Sequence, residues 1–318
     1  MKTLQNPQSS QGSSQETSRQ AFPYRGRFAP SPTGPLHAGS LASALGSWLD
    51  ARAHGGQWLV RIEDVDTPRT VQGSDQIILQ QLIACGLHWD EEVVWQSKRT
   101  ALYQAALDQL NKDQMTYRCI CSRKHIEETL RANGAELGRH EDLIYPGSCR
   151  NQNRQEEKAA IRVALPGSCV LQFKDRMKGV QSQDLTTQVG DFVLRRADGL
   201  FTYQLAVVVD DHLQGITHIV RGEDLLSNTA RQLYLQQILG YQIPSYLHLP
   251  LVTNAAGEKL SKQTQALEID TSNTDAILNS LRRAAIHLGL NDDRKELDKT
   301  IHEWLLMKAN QWRDCYLK

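Results

Sequence analysis

At 318 residues, and about 150 residues per domain, the chain is long enough for two domains or for one large α/β domain carrying an insertion. Hydrophobic residues make up 40% and charged residues 23% of it, the balance of a globular protein with a sizeable core. Thirty-six Lys and Arg offset thirty-six Asp and Glu, which excludes polybasic, histone-like binding of nucleic acid but leaves room for a local basic face.

The first twenty residues are rich in Gln and Ser and contain no apolar core of a signal peptide. Residues 1–23 are therefore expected to be a disordered leader. Order is expected from Tyr24. Arg25–Ala29 reads as a short buried strand, followed by the breaker-rich run Pro30-Ser31-Pro32-Thr33-Gly34-Pro35. Leu41, Leu45, Trp48 and Leu49 then recur at helical spacing, which predicts a helix over 38–53, closed by Gly55-Gly56 and followed by a strand over 57–62. Strand, helix and strand in this order make a βαβ unit and imply a parallel sheet. Helices are expected over 75–85 and 99–111. From 117 to 185 this rhythm is lost, and the segment reads as an insertion with a polar helix over 122–132 and short strands over 159–165 and 170–173. The sheet is expected to resume with Phe192–Arg196, an Asp198-Gly199 turn and Phe201 onward. A strand over 217–220, a helix over 227–239 ended by Gly240, and the strand-like run Leu247–Val252 follow. Beyond 265 a polar helical tail is anchored by Leu281, Ile286, Leu288 and Leu290. Trp89 and Trp95 read as packing residues, and Ala206-Val207-Val208-Val209 as core. No apolar run approaches the about 18 residues that span a bilayer, so no membrane partner is expected.

Six cysteines, at 85, 119, 121, 149, 169 and 315, are too few and too scattered for a disulfide scaffold. With no export signal, a reducing cytoplasm is the expected compartment. Cys119, Cys121 and Cys149 nevertheless cluster in sequence, and three thiolates suit a tetrahedral zinc that would staple an insertion with a thin core. For a fourth ligand, composition offers His125, His140 or Tyr145.

Two further segments carry chemistry. In Arg27-Phe28-Ala29-Pro30-Ser31-Pro32-Thr33-Gly34-Pro35-Leu36-His37-Ala38-Gly39-Ser40, His37 stands at a helix N-terminus, where backbone N–H groups and the dipole make an anion site. In Lys259-Leu260-Ser261-Lys262-Gln263, two lysines three apart on a polar loop can reach phosphates from the other side. Either segment alone is unremarkable: a rigid loop with a capping histidine, and an exposed basic loop.

Together they resemble the two signatures of class I aminoacyl-tRNA synthetases. Arg27–Gly34, Arg61-Ile62-Glu63-Asp64-Val65-Asp66, Asp210-Asp211-His212 and Arg221-Gly222-Glu223-Asp224 are similar to the glutamyl branch. The likeness runs from about Arg25 to Gln263, and requires five ordered blocks to agree. Ser40 replaces the second histidine of the first signature, the second signature ends in Gln263, and only the 55 residues 264–318 follow it, where a full glutamyl-tRNA synthetase carries a helical anticodon-binding region. These departures resemble the shortened paralogues that attach glutamate to the queuosine base in the anticodon loop of tRNA(Asp).

The resemblance implies a Rossmann-like parallel-sheet α/β catalytic domain over 24–116 and 186–265, a zinc-binding insertion over 117–185 and a helical tail over 266–318. It implies a glutamate pocket at Arg27, Phe28, Ala29, Pro30, Ser31, Glu63, Tyr203 and Arg221, and an ATP site at His37, Gly39, Ser40, Lys259 and Lys262. Physical chemistry agrees: glutamate carries two carboxylates and an ammonium, and Arg27 and Arg221 offer bidentate forks while Glu63 offers a counter-charge. Which arginine takes the side-chain carboxylate stays open. Adenylation places charge on phosphoryl oxygens, so His37 and Lys262 are the catalytic candidates, with Mg²⁺ accompanying ATP. The resemblance also points to Tyr145 as fourth zinc ligand beside Cys119, Cys121 and Cys149. The expected partners are L-glutamate, ATP and queuosine-modified tRNA(Asp), with Arg282, Arg283, Arg294, Lys295 and Lys299 as contributors to an RNA face, and a monomer is expected. The alternatives are an enzyme charging a tRNA 3′ end and a non-catalytic RNA-binding paralogue.

Overall fold

The computed structural model describes residues 23–136, 138, 143–253, 267–291 and 299–317. Lys259, Lys262, Gln263, His140, Arg294, Lys295 and residues 1–22 of the expected leader lie outside these residues. The elements are β1 (Arg25–Phe28), α1 (Ala38–Ala53), β2 (Gln57–Ile62), α2 (Ser74–Ala84), β3 (Val94–Trp95), α3 (Thr100–Lys112), β4 (Thr116–Cys119), α4 (Arg123–Ala132), β5 (Ala160–Val163), β6 (Val170–Asp175), β7 (Gly179–Asp184), α5 (Leu185–Gln188), β8 (Val193–Arg195), α6 (Tyr203–Leu213), β9 (His218–Gly222), α7 (Thr229–Leu239), β10 (Ser245–Leu249), α8 (Thr274–His287) and α9 (Ile301–Tyr316).

Strands β1, β2 and β3 pair in parallel, and so do β9, β10 and β6, with β7 folded back on β6 as a hairpin. The two groups meet where Thr217 N–H donates to the Arg25 carbonyl (2.9 Å) and Arg25 N–H donates to Thr217 Oγ1 (2.8 Å). The order is thus β3-β2-β1-β9-β10-β6-β7, with the chain crossing from one half to the other between β1 and β9. That reversal opens a crevice at the carboxyl ends of the strands, where ligands of open parallel sheets bind.

Helix α1 covers the sheet with Leu41, Leu45, Trp48 and Leu49, all buried as their spacing predicts. Helices α8 and α9 pack over it and contribute Leu281, Leu288, Trp304 and Trp312 to the same core. Ile286, an expected anchor of this tail, instead faces solvent at 55% exposure. Asp50 lies fully buried on α1, accepting from the Tyr24 hydroxyl (2.6 Å), both ends of Arg176 (2.6 and 2.8 Å) and Trp312 Nε1 (2.9 Å). Burial pushes this carboxyl up, but the Arg176 fork and the two neutral donors more than offset it and hold it below its ordinary value. One carboxylate thereby ties the last helix and the β6–β7 hairpin to α1.

Three sequence expectations are corrected. The segment 117–185, expected as one insertion, is divided: its last strands β6 and β7 belong to the main sheet, where β6 pairs with β10. Phe192–Arg196 does not resume the parallel sheet: β8 pairs antiparallel with β5 in a separate sheet, β4-β5-β8. Nor does strand continue from Phe201, which makes a lone bridge to Arg195 before the chain turns into α6. Leu205 to Asp211 are all buried, so this helix has no polar face to reveal its period, and its valine run looked like a strand. Among the described residues no helix is long and apolar enough to cross a membrane.

Candidate active site and thiol cluster

A cavity of about 560 Å³ opens at the carboxyl ends of β1, β2, β9 and β10. Its wall is built from the loop Ala29–Ser40, where proline fixes the backbone and Gly34 adopts φ 138°, a conformation that side-chain-bearing residues rarely take. Arg27, Phe28, Ala29, Pro30, Ser31, Glu63, Tyr203, Arg221, His37, Gly39 and Ser40, all singled out from sequence, line this one space. Asp66, Arg69 and Thr70 at its rim were not anticipated.

Beneath Arg27 lies an ion network that joins three of the motif blocks, a pairing their sequence did not specify. Arg27 donates from Nε and Nη2 to both oxygens of Asp211 (3.0 and 3.3 Å). Arg61, wholly buried, donates to Asp211 Oδ1 (2.8 Å), Gln214 Oε1 (2.8 Å) and Glu63 Oε1 (3.2 Å). Burial would raise the Asp211 pKa, but Arg27 and Arg61 outweigh it and hold it below the usual carboxylate range. For Glu63 the balance falls the other way: burial outweighs Arg61 and Arg27, and its carboxyl titrates above the ordinary value. Asp210, next along α6, accepts from Gln96, Arg99 and Tyr103 (3.0, 2.6 and 2.6 Å). The sequence did hold a signal for Arg61: a charged residue inside the buried strand Trp58-Leu59-Val60-Arg61-Ile62 demands a counter-charge.

Arg221 differs. Its Nε donates to His248 Nε2 (3.0 Å), Nη1 to Gln232 Oε1 (2.8 Å) and the Tyr203 hydroxyl (3.3 Å), and Nη2 to Thr229 Oγ1 (2.9 Å) and the Leu225 carbonyl (3.3 Å). None of these partners is a carboxylate, although the residue is only 4% exposed.

His37 caps α1. Its Nδ1 accepts from Gly39 and Ser40 N–H (3.1 and 3.3 Å), while Ser40 Oγ accepts from His37 N–H (2.8 Å), so Ser40 closes a reciprocal capping box. A neutral ring accepting at Nδ1 carries its proton on Nε2. The segment bearing Lys259 and Lys262 is flanked by described residues that converge here: Val252 lines the cavity, and Glu268 forms a bridge with His37.

In the other sheet the three clustered cysteines meet. The Sγ atoms of Cys119, Cys121 and Cys149 lie within 4.8 Å of one another, with Cys121 and Cys149 3.5 Å apart. Tyr145 points its hydroxyl among them, 3.3 Å from Cys119 Sγ and 3.6 Å from Cys121 Sγ, and accepts from Cys149 N–H (2.9 Å). Arg162 stacks its guanidinium 3.8 Å over the phenol ring and helps fix it. Sulfurs around a tetrahedral zinc stand about 3.8 Å apart, given Zn–S bonds of about 2.3 Å, so the donor set suits that ion. Among the described residues no histidine or carboxylate joins the three thiols.

Comparison with known proteins places the chain in a family. Residues 24–297 match the family of class I tRNA synthetases (E and Q), catalytic domain. Solved relatives include a glutamate-tRNA synthetase from Elizabethkingia anophelis (31% identity, TM-score 0.66, covering 76% of this chain and 53% of that one). A glutamate tRNA ligase from Elizabethkingia meningosepticum is similar (31%, TM-score 0.67, 76% and 52%), so the chain spans about half the length of these two proteins. Relatives named glutamyl-Q tRNA(Asp) synthetase are nearer in length and sequence. That of Albidiferax ferrireducens is 57% identical over 82% of this chain and 91% of its own, and that of Cupriavidus metallidurans 55% over 91% of each. The chain belongs to the class I tRNA synthetases of the glutamate and glutamine type and, within them, to the glutamyl-Q tRNA(Asp) synthetase family.

Proposed function

We propose that the protein activates L-glutamate with ATP and Mg²⁺ and transfers the glutamyl group to the queuosine base of tRNA(Asp). The observation that carries the pocket assignment is Arg221, a buried guanidinium whose N–H groups meet, among the described residues, only neutral partners. A buried cation without a counter-charge is costly, and a carboxylate of the substrate supplies what is missing. Arg221 is therefore the reader of the glutamate side chain, with Tyr203 beside it. Arg27, already tied to Asp211, turns its remaining N–H groups to the substrate, and Glu63 takes the ammonium. Phe28, Ala29, Pro30 and Ser31 form the wall against which the amino acid lies.

The α-carboxylate attacks the α-phosphorus of ATP and pyrophosphate leaves. His37 Nε2–H and Lys262 stabilise charge on the phosphoryl oxygens; Gly39, Ser40 and Lys259 line the nucleotide's path. A hydroxyl of the queuosine cyclopentene diol then attacks the glutamyl carbonyl, and AMP departs. Since Arg27, Glu63 and Arg221 are held by protein partners, activation proceeds without RNA. Cys119, Cys121, Cys149 and Tyr145 would hold one structural zinc, its role there being to cross-link the segments that bear them rather than to take part in the chemistry.

The test uses tRNA(Asp) from queuine-fed and queuine-starved cells with radiolabelled glutamate. Label is expected only on the modified tRNA, and is expected to survive removal of the 3′-terminal adenosine. Equal labelling of both tRNAs, or loss of label with that adenosine, returns the function to ordinary 3′ charging.

A further inference from the structure

We propose that His248, oriented by Asp175, is the positioning residue that fixes Arg221 for reading the substrate's side-chain carboxylate. The sheet itself builds this relay. The parallel register sets His248 of β10 opposite Arg221 of β9, and Tyr246 of β10 opposite Asp175 at the end of β6. Three side chains on three adjacent strands then connect in a line: Asp175 Oδ2 to His248 Nδ1 at 2.7 Å, and His248 Nε2 to Arg221 Nε at 3.0 Å. His248 is fully buried and Asp175 is 1% exposed.

The direction of each bond follows from chemistry. An arginine Nε–H can only donate, so His248 Nε2 must present its lone pair. The ring proton is then on Nδ1 and is donated to Asp175. Asp175 is itself held by N–H groups of Met177, Lys178 and His248 (2.9, 2.8 and 3.1 Å), which keeps its carboxylate in place. A neutral histidine thus sets the rotation of the guanidinium without neutralising it. A carboxylate in direct contact would fix Arg221 as well, but would cancel the charge that attracts glutamate rather than glutamine. The aspartate stands one ring further away, and that distance lets the arginine be both anchored and electrostatically unspent.

The proposal rests on Arg221 being the side-chain reader, and the experiment separates the two. Pyrophosphate exchange is measured against glutamate and against glutamine for the full chain and its variants, each checked for an intact thermal transition. Arg221→Leu is expected to abolish discrimination, and if it leaves the glutamate KM and the glutamate preference intact, the pocket assignment itself falls. His248→Ala is expected to raise the glutamate KM about 10- to 100-fold, the loss of one hydrogen bond to a charged group, with kcat and the ATP KM little changed. His248→Gln keeps an acceptor for Arg221 and is expected to recover most of that loss. Should Arg221→Leu behave as expected while His248→Ala keeps the wild-type glutamate KM, or His248→Gln be no better than alanine, the relay is overturned. A fall in kcat matched by a lost thermal transition in His248→Ala alone is resolved by His248→Gln: a folded glutamine variant with wild-type KM supports the relay, and one with the KM still raised refutes it.

Discussion

The catalytic cavity and the thiol cluster solve the same problem, holding polar groups in a dry place, with opposite means. In the cavity, Arg27, Arg61, Glu63, Asp211, Arg221 and His248 come from β1, β2, α6, β9 and β10, and are locked by one another and by the sheet. In the thiol lobe, the core is little more than Cys119, Ile126, Tyr145 and Cys149. The three short strands of its sheet lean on a larger cluster through Val163 and Leu194, but the four donors themselves sit at its margin with, among the described residues, only Ile126 as a buried apolar companion. A site framed by a parallel sheet is preorganised by the fold. A site whose own apolar neighbours are few would gain from a bound ion the order that the sheet gives the cavity.

If that contrast holds, damage in the cavity costs global stability and damage in the lobe stays local. Asp211→Ala strands Arg27 and Arg61 without their shared carboxylate, and should destabilise the protein by about 3–5 kcal/mol in denaturant unfolding. A loss under about 1 kcal/mol would mean that the network is dispensable to the fold. The same logic gives a pH effect: Asp211 has its folded pKa depressed, so its contribution is complete above the unfolded value and is lost as pH falls through the folded one. Lys262→Ala removes one partner of the developing phosphoryl charge and should slow glutamate-dependent pyrophosphate exchange about 10²–10³-fold, with stability unchanged. Retention of full exchange would remove Lys262 from the chemistry.

The lobe makes the complementary case. If the four donors hold zinc as proposed, metal analysis should find one zinc per chain and Cys119→Ser/Cys121→Ser should abolish it. Hydrogen-exchange protection should fall in β4 and β5, while pyrophosphate exchange persists. Zinc retained in full by that double variant would exclude the four-ligand site. The smallest effect expected is on acid dependence. In the proposed pocket Glu63 would bind the ammonium only as a carboxylate, and burial lifts its pKa above the ordinary value. The glutamate KM should therefore be flat near neutrality and rise as pH falls through that raised pKa, at most tenfold per unit. Glu63→Gln should bind weakly at every pH, and a wild-type acid limb in that variant would assign the titration elsewhere.

Local order made part of this legible before any fold was known. The spacing of Leu41, Leu45, Trp48 and Leu49 defines a helix over 38–53, and the structure has it there. The run of prolines and glycine before His37 marks a strand-to-helix loop, because each residue type restricts its own backbone and needs no distant partner. The clustered cysteines could likewise be picked out, since thiolate ligand chemistry is written in residue type, whereas residue type left Tyr145 level with His125 and His140 and only the family resemblance singled it out. What failed lies where tertiary burial overrides periodicity. The valine-rich start of α6 is enclosed on every side, and β8 found an antiparallel partner that no local rule selects.

The sequence by itself determined the chemistry on offer: two arginines, an acid, a capping histidine and a soft-ligand set, each recognisable from side-chain type and near neighbours. Only the tertiary structure decided which charges are spent and which remain for a ligand. Arg27 and Arg221 look equivalent along the chain, yet one meets Asp211 from a helix 184 residues away and the other meets a neutral histidine aligned by strand register. That difference is electrostatic and long-range in sequence, set by how parallel strands align, and no pattern within either arginine's own segment encodes it.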